Sequence, residues 1–153
     1  MPPCPTVNSS PTLELLASMV VKQGLSIGLL SEGQRDLALA LAASALPVAV
    51  ACSEAEVNRA LRRCLMAEAA FLDTDHVELR RWLVDTGYCR RDGFGRSYER
   101  VADADLTPAR RAAASALAPL DLPSWVAAQQ SRVRDQRQAR HQAWQARQGA
   151  SGV

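Results

Sequence analysis

The sequence predicts a mainly helical fold with one small β-hairpin, and three observations carry that prediction. Ser31-Glu-Gly-Gln34 and Ser53-Glu-Ala-Glu56 each set a hydroxyl three residues before a side chain able to return the bond, as helix starts do. His76 to Thr86 has apolar residues at helical spacing and stops at Gly87. Tyr88 to Arg91 and Arg96 to Val101 then alternate around Asp92-Gly-Phe-Gly95, a glycine-rich hairpin turn. A capped helix, a second short helix and an arginine-rich hairpin in that order predict a winged helix-turn-helix core with flanking N- and C-terminal helices.

Along the chain, residues 1–11 are rich in Pro, Ser and Asn and are expected to be a loose tail. Thr12 is the expected cap of a helix running to about Gln23, with Leu13, Leu16, Met19 and Val20 on one face and Gly24 as its stop. Leu25 to Leu30 reads as extended. The helix behind Ser31 runs to about Ala45, turns Leu37, Leu41 and Ala45 inward, and ends at Pro47. Val48 to Cys52 is β-prone. The helix behind Ser53 carries Val57, Ala60, Leu61, Cys64 and Leu65 on one face and Arg59, Arg62 and Arg63 on the other. After a turn at Asp73-Thr74-Asp75, the next helix buries Leu79 and Leu83 with Trp82 alongside. Thr107-Pro108 starts an alanine-rich helix to Ala118, Pro119 to Pro123 is a hinge, and Ser124 caps a final basic helix. The implied organisation is a tail over 1–11, a winged-helix-like domain over 12–101, an alanine-rich helix and hinge over 102–123, and a basic helical tail over 124–153. No internal repeat is read.

Hydrophobic residues make up 48% of the chain but aromatics only 5%, so the core is expected to be alanine, leucine and valine, residues that suit close helix packing. The net charge is +2, and 17 of the 18 basic residues are arginine, the exception being Lys22. Charge is uneven along the chain. Residues 53–101 hold nine arginines against nine acids, whereas residues 124–153 hold five arginines against Asp135. None of Cys4, Cys52, Cys64 and Cys89 forms a Cys-x-x-Cys pair, and no secretory signal is read at the N-terminus. A reducing cytoplasm is the expected compartment, with Cys52 and Cys64 as buried thiols. Leu37 to Ala51 is too short and too interrupted to span a membrane, so no membrane partner is expected.

Glu54-Ala-Glu-Val-Asn58 and Leu79-Arg-Arg-Trp-Leu-Val-Asp-Thr-Gly87, followed by Arg91, Gly95, Tyr98 and Arg100, are similar to a bacterial family, domain-of-unknown-function family 2087. That family's pattern is Glu-Val-Asn, then Leu-Arg-Arg-x-Leu-Val-Asp-x-Gly, then Arg, Gly and Tyr-x-Arg, and the likeness covers roughly residues 31–101. Its lysine-rich opening segment is replaced here by Glu32 to Asp36. The resemblance implies a winged-helix-like domain of the kind that sometimes accompanies helix-turn-helix regulators, and no established activity.

In a winged helix the second helix of the pair enters the major groove and the hairpin touches flanking backbone. Nucleic acid, DNA before RNA, is therefore the first expected partner. His76, Glu78, Arg80 and Arg81 would face the groove, Arg90, Arg91 and Arg96 would be the wing contacts, and Arg59, Arg62 and Arg63 would support on phosphate, because guanidinium forks grip phosphate and guanine bidentately. The alternative readings are structural: Arg81 pairs with Asp85 four residues on, and Arg80 bonds the hairpin or Glu56. Asn58 is expected to bond the neighbouring helix or hairpin, and Tyr98 to pack with Tyr88. A protein-interaction module on the same scaffold is the competing function, favoured by the neutrality of residues 53–101 and by Trp82, Phe94 or Trp125 if exposed. Cys52, Cys64, His76 and Cys89 match no zinc spacing, and Asp92-Gly-Phe-Gly95 has the wrong order for a kinase motif, so no metal, cofactor or enzymatic role is expected. Arg132, Arg134, Arg137, Arg140 and Arg147, with Trp125, His141 and Trp144, make the last helix either a phosphate-binding segment, a solvated tail or a partner helix.

Overall fold

The computed structural model describes residues 10–94 and 96–150. Most of the expected loose tail, and Cys4 with it, lies outside the described residues. Among those described, six α-helices surround one another and a three-stranded antiparallel sheet.

Helix α1 spans Pro11–Val20 and is capped by Ser10, whose hydroxyl accepts the Leu13 N–H at 3.3 Å. The expected cap at Thr12 is displaced because Pro11, with its fixed φ and missing N–H, suits the first helical position. The helix also ends earlier than Gln23, at Val20, and Gly24 takes the left-handed φ of +71° in the turn beyond. Leu25 forms a single parallel bridge to Leu72, and Ile27–Leu29 coils into a 3-10 turn instead of extending. Arg35 stabilises that turn: its guanidinium donates to the carbonyls of Ile27, Gly28 and Leu30 at 3.2–3.3 Å.

Helix α2, Glu32–Ala43, has both halves of the expected capping box. Its seven residues from Leu37 to Ala43 are all buried, not one face of them. The reason is α5, Pro108–Leu117, which packs Ala113, Ala114 and Leu117 into the same core. Alanine on both helices allows close approach of their backbones. Before α5 the device seen at Arg35 recurs. Arg111 donates to the carbonyls of Asp103, Ala104 and Leu106, clamping the 3-10 turn Asp103–Asp105 at the same sequence offsets. Leu30-Ser31-x-x-x-Arg35 and Leu106-Thr107-x-x-x-Arg111 thus share one local device.

Strand β1, Ala51–Ser53, leads into α3, Glu54–Leu65, where Ser53 accepts the Glu56 N–H at 3.2 Å; of the expected capping box only this half forms among the described residues. Val57, Leu61 and Cys64 are its buried face. Helix α4, His76–Asp85, is capped by Asp75 through Glu78 N–H at 2.8 Å, buries Leu79 and Leu83, and stops at Gly87 with φ +85°. Strands β2, Cys89–Arg91, and β3, Ser97–Arg100, pair with Arg91 opposite Tyr98. β1 adds to the other side of β3 with Cys52 opposite Tyr98, giving the order β1-β3-β2. This register separates the two tyrosines expected to pack together. Tyr88 lies at the foot of the hairpin and donates its hydroxyl to the Asp36 carbonyl at 3.1 Å.

Helix α6 spans Leu122–Ala150. The expected hinge is therefore shorter than Pro119 to Pro123: Pro123 sits in the first helical turn, where proline is tolerated. Ser124 is not the cap. Its hydroxyl donates to the Asp121 carboxylate at 3.0 Å, and the Trp125 N–H bonds the Asp121 carbonyl at 2.8 Å. One cluster of buried residues runs from Leu16 in α1 to Val126 in α6, so the core draws on helices well outside the central segment. No helix among the described residues is long and apolar enough to cross a membrane.

Candidate nucleic-acid interface

The nine basic residues singled out by the sequence all lie on α3, α4 and the hairpin, but the fold treats them differently. Arg80 is taken up by structure. Its side chain is only 16% exposed, and one guanidinium nitrogen donates both to Asn58 Oδ1 and to Glu54 Oε1, the latter at 3.1 Å. The same guanidinium lies over the Tyr98 ring, 5.2 Å from its centroid. One side chain thereby ties α4 to α3 and to β3. Glu54, not Glu56, is the acid involved, because Glu54 and Asn58 stand four apart and share the helix face that meets α4.

His76 and Arg62 hold each other: Arg62 Nε donates to His76 Nδ1 at 3.4 Å across the α3–α4 seam. Glu78 accepts from the Thr74 hydroxyl at 2.9 Å and supports the helix start. Arg59, Arg63 and Arg81 are exposed. The expected Arg81–Asp85 ion pair does not form among the described residues, and both side chains instead line a shallow groove of about 210 Å³ between α4 and the hairpin. Arg91, Glu54 and Tyr98 line it too. Arg91 reaches the groove because strand residues alternate faces, and Tyr98 is its cross-strand partner. Arg90 falls on the other face of the hairpin, paired across the ladder with Glu99.

The turn is organised by Asp92. Its carboxylate accepts the Arg96 N–H at 2.8 Å, and its own N–H bonds the Ser97 carbonyl at 3.0 Å. The expected turn residue Gly95 lies outside the described residues. Arg96 extends over the Phe94 ring at 5.8 Å, and Phe94 is 84% exposed. The hairpin therefore presents arginines on both faces and an aromatic at its tip.

The cysteines are poor candidates for chemistry. Cys52, Cys64 and Cys89 are free and buried. Burial pushes the Cys89 thiol up to about 11, with Arg100 pulling against it, and raises Cys64 further still, helped by the Glu68 carboxylate beside it. Among the described residues no three His, Cys, Asp or Glu side chains converge to hold a metal ion. Asp36, under the hairpin, has its carboxyl raised above the ordinary range by burial, against the pull of Arg110 at 3.8 Å.

Of the groove's lining, Glu54, Arg80, Arg81, Val84, Asp85, Arg91 and Tyr98 belong to the sequence pattern noted above, and residues 30–100 match a family model described as "Uncharacterized protein conserved in bacteria (DUF2087)". Residues 30–100, a little under half of the chain, are thus similar to the DUF2087 family. Helices α1, α5 and α6 lie outside the matched segment, although they share one buried core with it. No curated protein and no solved structure matches the chain.

Proposed function

We propose that the DUF2087-like segment of this chain is a winged-helix module that binds nucleic acid, duplex DNA first, in a regulatory role, and that it binds rather than catalyses. The observation that carries this reading is the chain order α2, β1, α3, α4, β2, β3 with β3 at the centre of the sheet. A winged helix has that order; its second paired helix lies in the major groove and its hairpin flanks it. Here α4 is the groove helix and β2–β3 the wing. Arg81 and Arg91 share one groove, and Arg90 and Arg96 project from the wing, so four exposed guanidinium groups are available for phosphate. Arg80, His76 and Arg62 act behind them by fixing α4 on α3.

A second reading, a protein-interaction module, is favoured by the Glu54 and Asp85 carboxylates in that groove and by the exposed Phe94. One titration separates the two. Fluorescently labelled random duplex DNA, titrated at low and moderate salt, is expected to bind more weakly as salt rises. The variant R81A/R90A/R91A/R96A is expected to lose affinity and to flatten the log–log salt slope by about 3 to 4, at roughly 0.9 for each phosphate no longer neutralised. Unchanged affinity and slope in that variant would remove the wing and groove from nucleic-acid binding and leave the protein-partner reading.

A further inference from the structure

Helix α6 begins as a core helix and ends as an exposed one. Leu122 and Val126 are buried, Trp125 and Val133 are half-buried, and Gln130 donates to the Val20 carbonyl at 3.2 Å. From Arg134 to Ala150 every residue is exposed, an overhang of about 25 Å at 1.5 Å per residue.

The docking face continues where the core stops. Val126, Gln130, Val133, Arg137, Arg140 and Trp144 follow one another at alternating steps of four and three, so they form a single stripe. The first half of the stripe meets the domain; the second half is arginine and one tryptophan. Asp135, the single acid of α6, is off this stripe. At the root of the overhang, Arg134 and Arg137 line a cleft of about 350 Å³ together with Lys22 from the turn after α1. Further out, Trp144 is 53% exposed and stacks on His141, with ring centroids 6.2 Å apart and planes 20° apart.

A second copy of the helix does not fit this stripe. Paired helices need apolar residues at these alternating positions, and two copies would set arginine against arginine. A ligand that is anionic along its length and offers flat rings does fit. Guanidinium groups take phosphates and an exposed indole takes a base, whereas duplex bases are already stacked on one another. We propose that the overhang of α6 is a single-stranded nucleic-acid site, with Arg134, Arg137 and Arg140 on phosphates and Trp144 stacking a base. It stands apart from the winged-helix reading, since α6 lies outside the segment that matches the family.

The test uses the full chain with labelled oligo(dT) and a duplex of equal length, each titrated at low and moderate salt. R134A/R137A/R140A is expected to weaken oligo(dT) binding and flatten its salt slope by about 2, at roughly 0.7 for each phosphate of a single strand. W144A is expected to weaken oligo(dT) about tenfold while duplex affinity changes less than about twofold, and W144F to recover most of the loss. The hairpin variant R90A/R91A/R96A is expected to keep oligo(dT) binding, which separates this site from the wing. The proposal is overturned if the tail triple variant binds oligo(dT) as the parent does. It is equally overturned if the hairpin variant abolishes that binding, if W144A costs duplex and single strand alike, or if W144A dissolves a dimer of the parent. All four altered residues of α6 are exposed, and matching urea midpoints establish that each variant is folded.

Discussion

Replacing Arg80 by alanine tests whether this arginine belongs to the fold or to a ligand. The guanidinium has three partners: the Asn58 amide oxygen, the Glu54 carboxylate and the Tyr98 ring. A hydrogen bond from a charged donor contributes about 1.5–3 kcal/mol. The Glu54 contact is worth less than about 1 kcal/mol, since Glu54 is 52% exposed and water screens the pair. The contact over Tyr98 adds roughly 0.5–1 kcal/mol. These contributions share one group and do not add fully, and Asn58 is half-buried and regains water, so a net loss of about 2–3 kcal/mol is expected. With a urea m-value of about 1–2 kcal/mol/M, the unfolding midpoint falls by about 1.5 M. Arg81→Ala is the control: exposed and without an ion pair among the described residues, it is expected to change stability by no more than about 0.5 kcal/mol. Arg80→Lys restores only part of the loss, because an ammonium has neither the fork nor the flat face. Equal midpoints for Arg80→Ala and Arg81→Ala would refute the assignment of Arg80 to the α3–α4–β3 junction.

Two further outcomes follow from buried titrating groups. Asp36 has a raised carboxyl, chiefly from burial, so the folded state holds its proton more tightly than the unfolded chain. Stability from this group is therefore full below the ordinary value of 3.8 and is lost as pH rises through the higher folded value, leaving a cost at neutral pH that Arg110 offsets. Arg110→Ala is expected to cost about 1 kcal/mol near pH 7 and clearly less near pH 3.5; urea midpoints showing the same cost at both would refute the coupling. In a Cys4→Ser background, iodoacetamide at pH 8 is expected to add nothing to the native protein and three adducts after unfolding, read by mass. Burial both covers Cys52, Cys64 and Cys89 and suppresses their thiolates, so rapid native labelling of any of them would contradict the packing.

How much is legible in the sequence follows from how local each signal is. The box at Ser31, the cap at Ser53, the stop at Gly87 and the hairpin are settled within a few residues, and each stands where the local pattern places it. Asn58 is legible as a structural bond to a neighbour because a polar residue beside a packed helix face needs a partner, and Arg80 is that partner. Signals that depend on distant packing are not legible. Periodicity gives α2 one inward face, but burial of its other side is set by α5, some seventy residues later in the chain. Whether Arg80 points to solvent or into a junction is decided by Glu54, Asn58 and Tyr98 together, on α3 and β3. The Arg35 and Arg111 clamps have a usable signal, the shared Leu-(Ser/Thr)-x-x-x-Arg spacing, but it is too short to stand out as a repeat.

The division of the arginines bears directly on how strongly this chain can bind. Residues 53–101 are neutral overall, yet neutrality is not evenly distributed in space. Glu54 is paired with Arg80, so one carboxylate near α4 is already compensated within the structure. Against this, Arg81 and Arg91 share their groove with Asp85, and Arg90 faces Glu99 across the ladder. Each of these arginines is thus exposed but partly compensated, so the proposed phosphate contact of the hairpin face is expected to be modest. The five arginines of α6 face a single acid, off the stripe. Were both proposed surfaces to engage one nucleic acid, the second contact would be intramolecular once the first is formed. On that reading the proposed hairpin contact would contribute position and the proposed α6 contact charge.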